Sequence, residues 1–418
     1  MRPEQAGTVH VIGGGIGGLA VAGGLHARGF DVHVHEQAPS FAHVGGGHWL
    51  YANALRALDR LGPGLAAEMS ARGHGFDGFH FATPGLRTLL LESTAPYTPS
   101  PELAPVVLHR ADIIDVLRAR VPAERLHFGR RLEEVRPDGL QFSVKAAGPT
   151  RKSPYDQKLV IRWNQRGNLP RGVGPAVDRF ADGTELRPDL LLGADGIHSR
   201  VRPVISERRP SFSGQTGLWG IADLVLPEAF GRHFTELWSD GLRMGFTTVG
   251  GGGLRRVYWF MVVREEVPDG DDARKAFVLE RATAFPAELV EAVERTPAAG
   301  IATNPLWDMS PPRRWHDDTV CCLGDAVHPC TPNLGQGGCQ ALEDAACLAE
   351  CFVSEATPAL AYAAFQRRRW WRTFAVVHLS RNLGRLAQSR GFAARLRDLV
   401  VGGSPSWAPR PVLWWISS

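Results

Sequence analysis

Apolar and polar positions change period twice within the first forty residues. The run 8–12 is short and β-branched and predicts a strand; 13–18 is almost all glycine; then Leu19, Ala20, Val21 and Leu25 recur at helical spacing until Gly29. Alternation returns over 31–35 and ends at Glu36. The order strand, glycine turn, helix, strand, acid recurs in part later. The apolar run 190–193 enters a second turn containing Asp195 and Gly196, followed by the basic helix start Arg200-Val201-Arg202. The run 319–323 enters a third, Gly324-Asp325-Ala326-Val327-His328-Pro329, continues through Pro332 and 335–338, and meets a helical pattern at 339–345. Between these, strand patterns at 216–225, 243–249 and 256–263 alternate with turns. The tail 361–400 is helical by period and rich in arginine, and a Gly-Gly-Ser-Pro-Ser-Trp stretch at 402–407 ends it.

A chain of 418 residues has room for two to four structural units. Hydrophobic residues make up 44% and charged residues 22%, which excludes a disordered, collagenous or heavily charged nucleic-acid-binding chain. The net charge of +4 names no acidic partner. The six cysteines all follow position 320 with irregular spacing and no Cys-x-x-Cys, so they read as small buried thiols rather than as a disulfide framework or metal site. The first nine residues lack the basic and then apolar pattern of a signal peptide, and no run suits a membrane span. A cytoplasmic location is expected.

The first glycine turn has the form G-x-G-x-x-G. Gly13 permits the tight turn, Gly15 lets the backbone approach a pyrophosphate, and Gly18 lets helix and strand pack closely. The N-terminus of the helix that follows offers unpaired N–H groups to the phosphates. Glu36 stands where a ribose 2′-OH needs an acceptor and where a 2′-phosphate would be repelled, so this site suits NAD or FAD rather than NADP.

The G-x-G-x-x-G, the G-A-D-G-x-x-S-x-V-R at 193–202 and the G-D-A-x-H-P-x-x-P-x-x-G-Q-G at 324–337 stand in one order across nearly the whole chain. In them the sequence resembles the FAD-dependent aromatic hydroxylases, single-component flavoprotein monooxygenases with a p-hydroxybenzoate hydroxylase-like fold. The resemblance implies an α/β fold: a Rossmann-like FAD-binding domain (1–75, 100–201 and 305–360) interrupted by a sheet-rich substrate domain (76–99 and 202–304), with a C-terminal helical segment (361–418).

It implies that Gly13, Gly15, Ile16, Gly18 and Glu36 hold the ADP half of FAD and that Arg110 reaches the pyrophosphate or ribityl region. Asp325 then binds a ribityl hydroxyl, Gly335, Gly337 and Gly338 line the flavin ring, and Asp195 with Arg202 serves both FAD and the nicotinamide of NADH or NADPH. The chemistry implied is flavin reduction, reaction with O2 to a C4a-hydroperoxide, and hydroxylation or epoxidation of an aromatic or conjugated small molecule, with no metal. The protein is expected as a monomer or homodimer. The loop 335–338 has its own physical reason. Backbone N–H groups just before a helix stabilise the negative charge of a reduced flavin, and Pro332 and the glycines leave a small apolar space over the ring.

Pocket candidates are Pro332, His48 and Trp219, with Trp238, Trp259 and Phe260 as further aromatic linings. His48 replaces the apolar residue usual in the family, and is read as a loop histidine rather than a tether to the flavin. His328 is read as a satisfied loop histidine and Asp325 as a ligand. Residues 145–178 depart from the family pattern as a solvated excursion with a strand at 158–163; sparse aromatics argue against a nucleic-acid patch there. A flavin-dependent halogenase is disfavoured, since no lysine precedes Lys145 and that family's tryptophan motif is missing. The alternative enzyme is a flavin oxidase or reductase without oxygen insertion. A flavin-stabilised binding protein without turnover is the third reading, separable by NAD(P)H consumption with and without oxygen.

Overall fold

The computed structural model describes residues 1–41, 46–136, 177–250, 255–405, 407–408 and 410–417. Its nucleotide half is a five-stranded parallel sheet in the order Val320–Cys322, Leu190–Gly193, Thr8–Ile12, Asp31–His35, Leu126–His127. Continuous apolar runs such as 190–193 suit these strands because both faces of a parallel sheet are covered. One face carries the helices Ile16–His26, Ala52–Leu61, Arg110–Arg118 and Gly337–Ser354. On the other lies a three-stranded antiparallel sheet, from which Phe180 packs 4.9 Å from His35. The crossover helix Ile16–His26 contains six glycines or alanines; a Cβ on Gly17 or Gly24 would already meet Ala341 or Ala349 at 3.4 and 3.5 Å, which fits its close packing against Gly337–Ser354.

The second half is a seven-stranded sheet in the order Ala302–Asp308, Ser211–Ala222, Arg256–Val263, Arg243–Val249, His233–Trp238, Gly78–Ala82, Thr88–Ser93. Its period of two separates two apolar faces. Leu218, Trp259, Met261 and Phe246 turn towards the helices Asp271–Ala282 and Ala287–Arg295, whereas Trp219, Tyr258, Phe260 and Phe234 turn towards the nucleotide half. The strand Ala302–Asp308 stays in this sheet as far as Asp308, past the boundary expected at 304. The expected strand at 158–163 and the excursion around it lie outside the described residues.

The 30-residue helix Pro358–Ala387 spans both halves, roughly 45 Å at 1.5 Å per residue. Thr357 caps its start through Leu360 N, and past its end Gln388 donates to Val262 O at 2.8 Å, fastening it to the large sheet. The helices Phe392–Gly403 and Arg410–Ser417 follow. Five of the cysteines are buried and Cys330 is half-buried, all as free thiols. No helix among the described residues is long and apolar enough to cross a membrane.

Candidate functional site

The three glycines of the first turn have three separate reasons. Gly13 has φ +105°, and a Cβ there would stand 2.4 Å from the Ala194 carbonyl oxygen. A Cβ on Gly18 would stand 1.9 Å from the carbonyl oxygen of Gly13, so only glycine lets the helix close against the strand end. Gly15, the N-cap of helix Ile16–His26, faces open space with no atom within 4 Å. An anion can reach the helix N-terminus there. Glu36 accepts from Gly14 N at 2.8 Å and from Ala38 N at 2.8 Å, which fixes its carboxylate beside the turn. Arg110 opens the helix Arg110–Arg118, its backbone N–H donates to Gly46 O, and its guanidinium feels Glu36.

Asp195 follows the strand Leu190–Gly193. Its Oδ2 accepts from Arg200 N at 2.6 Å and Val201 N at 3.2 Å, while its Oδ1 is buried with no partner. Burial pushes the carboxyl pKa up and these hydrogen bonds act against it. A buried lone acceptor of this kind fits a ligand hydroxyl. Arg202 does not fit the role expected of it as a nicotinamide contact. It is 5% exposed, and its guanidinium donates to Ala326 O at 2.9 Å and Ile197 O at 3.1 Å. Its charge is spent on pinning the Asp195 turn to the Asp325 turn.

The third turn begins at Gly324 (φ +59°), whose N–H donates to Asp344 Oδ2 at 2.9 Å. Asp325 opens from it into the cleft. Crowding by the surrounding protein raises its pKa, and nearby His328 opposes the shift. Gly335 (φ +63°) faces Tyr51, whose hydroxyl would be 3.0 Å from a Cβ, and a Cβ on Gly338 would come 3.4 Å from the His48 ring. The loop 335–338 therefore packs directly against the strand Gly47–Leu50. His48 has a buried Nδ1 without a partner, and burial with the Arg110 charge lowers its pKa to about 4, so it is neutral at physiological pH. Pro332 starts the turn that leads to Gly335. Asn333 beside it donates to Ser380 O at 2.8 Å and accepts from Arg243, a buried residue paired with Glu236 at 2.7 Å.

Beneath this loop lies a buried polar network absent from the sequence reading. His328 Nε2 meets Asp344 Oδ2 at 2.5 Å, and Asp344 Oδ1 accepts from Arg369 at 2.7 Å. Glu343 pairs with Arg369 and Arg372 and accepts hydrogen bonds from Asn53 and Gln340, both of which also donate to Gln336 Oε1. For both Asp344 and Glu343 burial opposes ionisation, but the combined cations hold the carboxyl pKa low: His328 and Arg369 for Asp344, Arg369 and Arg372 for Glu343. The available signal was the adjacent acids Glu343-Asp344 just after the glycine loop, with Arg369 and Arg372 one turn apart on the next helix.

The aromatic wall contains Trp219, Tyr258, Phe260, Phe234 and Phe79, with Trp49 edge-on to Phe234 and Tyr258. Gly46 packs so closely that a Cβ would lie 2.7 Å from the Tyr258 ring and 2.9 Å from Trp219. The indole nitrogens of Trp49 and Trp219 are buried without partners. Trp259 is a correction to the expected lining: it points to the opposite face, where Nε1 donates to Thr296 at 2.8 Å. Trp238 lies at the sheet end, spent on Glu236. A separate cleft of about 480 Å³, lined by Arg208, Arg209, Gln215, Asn333, Arg381 and Arg385 among others, borders the turn after Thr331.

Residues 170–361 match the model of an FAD binding domain. The chain is 34% identical over 403 residues to aurachin C monooxygenase/isomerase of Stigmatella aurantiaca, covering 94% of this chain and 93% of that one. It is 30% identical to 3-amino-4-hydroxybenzoate 2-monooxygenase of Streptomyces cremeus, covering 90% and 86%. The crystal structure of Klebsiella pneumoniae HpxO complexed with FAD and uric acid superposes with a TM-score of 0.80 at 20% identity, over 98% of this chain and 95% of that one. The open Gly15 face, the lone Asp195 oxygen and the glycine loop fit FAD, and with a relative this similar along its whole length, the chain belongs to the FAD-dependent aromatic hydroxylase family of flavoprotein monooxygenases.

Proposed function

We propose that this monooxygenase takes electrons from NADH or NADPH and inserts one oxygen atom of O2 into a planar aromatic or conjugated small molecule. The observation that carries the substrate class is the wall of Trp219, Tyr258, Phe260 and Phe234 against the 46–49 segment, which itself packs on Gly335–Gly338, with two buried indole N–H groups left to hold a substrate oxygen. FAD, when bound, supplies hydride acceptance and oxygen activation.

The chain's own residues do the rest. The helix N-terminus at Gly15 binds the diphosphate, and Asp195 Oδ1 with Asp325 accepts hydrogen bonds from ribityl hydroxyls. The N–H groups of the loop before helix Gly337–Ser354 favour negative charge on the ring. The buried network under the loop holds those donors in place, and the aromatic wall excludes water. Neutral His48 contributes no competing positive charge. With Arg202 buried, the exposed guanidinium groups of Arg209 and Arg385 in the cleft beside the loop become the candidate surface for the diphosphate of the pyridine nucleotide.

A screen of aromatic compounds, scored by stimulated NAD(P)H oxidation and by products one oxygen atom heavier, tests the reading. Fast unstimulated oxidation with no oxygenated product under any compound would establish the oxidase or reductase alternative instead. Charge reversal at Arg209 and Arg385 together is expected to raise the KM for NAD(P)H several-fold and leave FAD content unchanged; an unchanged KM removes the cleft from the co-substrate path.

A further inference from the structure

The helix Phe392–Gly403 is amphipathic in the wrong sense for a globular core. Phe392, Leu396, Leu399 and Val400 recur at i, i+4, i+7 and i+8 and are 80%, 47%, 72% and 58% exposed, whereas Arg397 on the other side is 4% exposed. Arg397 is held inside by Ala387 O at 2.6 Å and Ser239 O at 3.2 Å, and lies over the Trp238 ring. Single exposed leucines need no explanation, but a full helical stripe does. The stripe is not isolated. This helix packs on the edge strand Thr88–Ser93, where Leu91 is 53% exposed; Arg410 of the last helix pairs with Glu92, the next residue of that strand, whose side chain turns to the opposite face. Trp407, also exposed, lies between the two helices.

Charge is segregated in the same place. Residues 356–418 contain ten arginines and one acid, Asp398, so this segment is more positive than the whole chain at +4. Arg390 and Arg395 are exposed beside the stripe. The neighbouring acids are engaged: Asp398 by Arg397 and Arg87, Glu92 by Arg410 and Tyr97, and Asp240 by the N–H of Gly391. An apolar stripe flanked by arginines, with the neighbouring acids among the described residues already engaged, complements the headgroup region of an anionic bilayer and would repel a second basic copy of itself.

We propose that this face docks peripherally on anionic phospholipid membranes, with Phe392, Leu396 and Leu399 entering the headgroup boundary and Arg390 and Arg395 meeting lipid phosphates. The last helix also touches the surroundings of the aromatic chamber: Ser417 borders a small hollow with Tyr51 and Phe79.

The test is co-sedimentation of the FAD-loaded protein with vesicles of phosphatidylcholine alone and of phosphatidylcholine with phosphatidylglycerol. The expected result is binding to the anionic vesicles, at least about tenfold weaker for Arg390→Glu/Arg395→Glu and for Phe392→Glu/Leu399→Glu, since each basic residue near the surface and each inserted apolar side chain contributes. FAD absorbance and Tm stay at wild-type values, because all four side chains are exposed. No binding by the wild type, equal binding to both vesicle types, or variants that bind as well as wild type each overturns the proposal. So does a concentration-dependent oligomer that Phe392→Glu/Leu399→Glu dissolves, which assigns the stripe to self-association.

Discussion

The two ends of the cofactor site solve the same problem, presenting backbone N–H groups to negative charge, by opposite means. At the Gly13–Gly18 turn the means is backbone sterics. Three glycines remove three specific Cβ atoms, the parallel strands fix both flanks, and Glu36 is the one charged side chain bonded to the turn. At the Gly335–Gly338 loop the glycines are only the visible surface. Their position rests on Asp344, Glu343, His328, Arg369 and Asn53, drawn from four separate segments and buried away from water. Backbone sterics tolerate no substitution at particular atoms. A charge network tolerates changes of shape but not the removal of one partner.

This contrast is broken most severely at Gly18. Gly18→Val puts a branched side chain where even a Cβ would be 1.9 Å from the Gly13 carbonyl oxygen, so the strand–helix unit cannot close, and soluble folded protein is expected to be lost, as read by circular dichroism and size exclusion. Gly15→Val is its partner: the space is open, so the protein folds with near wild-type Tm but does not retain FAD. A yellow, fully loaded Gly15→Val protein would remove the diphosphate from this site.

At the other end, Asp344→Asn leaves His328 and Arg369 without their shared carboxylate. Breaking a buried charge pair costs about 3–5 kcal/mol, so a large drop in Tm is expected with FAD affinity falling as a consequence. Asp325→Ala sharpens the distinction, since its carboxylate faces the cleft and supports no other protein group. FAD affinity should fall about tenfold or more, the worth of roughly 1.5–3 kcal/mol for a hydrogen bond to a charged group, with Tm of the apoprotein unchanged.

The smallest effect is on pH. Behind the nucleotide sheet His10, His33, His35 and His127 stack at 4.8–5.2 Å, with ring nitrogens 3.0 Å apart in the pairs His10–His35 and His33–His127. Burial lowers the pKa of His10 from 6.5 to about 4 and of His35 to about 2, and the neighbouring histidines add to it. Below pH 6.5 the unfolded chain binds protons that the folded stack refuses. Stability contributed by the stack is therefore complete above pH 6.5 and declines as pH falls towards 4. Thermal melts of the wild type and His10→Gln across that window should differ in slope, the variant being flatter.

Much of the nucleotide end was legible because its determinants are contiguous. The 8–12 and 31–35 strand patterns, the glycine spacing and Glu36 lie within forty residues, and each of the three glycines has a steric reason that a spacing rule already encodes. The motif around Asp325 was legible as strand, turn and helix for the same reason. Arg202 was misjudged because a motif arginine reads as charge available to a ligand, whereas only the fold shows two carbonyl groups converging on it. Trp219 and Trp259, two residues of one type on neighbouring strands, look alike in sequence; pairing register sends one to the chamber and the other behind the sheet.

What the sequence determined by itself was each short-range requirement: where the backbone must turn, where a Cβ is forbidden, where a strand gives way to a helix. Most depend on sterics between residues a few positions apart, as between Gly18 and Gly13; Gly13 itself is held to glycine by Ala194 on the neighbouring strand end. Tertiary structure alone decided which charges are spent and which are offered. Asn53 reaches Glu343 across 290 positions and Arg202 reaches Ala326 across 124, and Arg397 turns inward while Leu399 turns out. Burial and hydrogen-bond satisfaction are properties of the packed molecule, and no local period carries them.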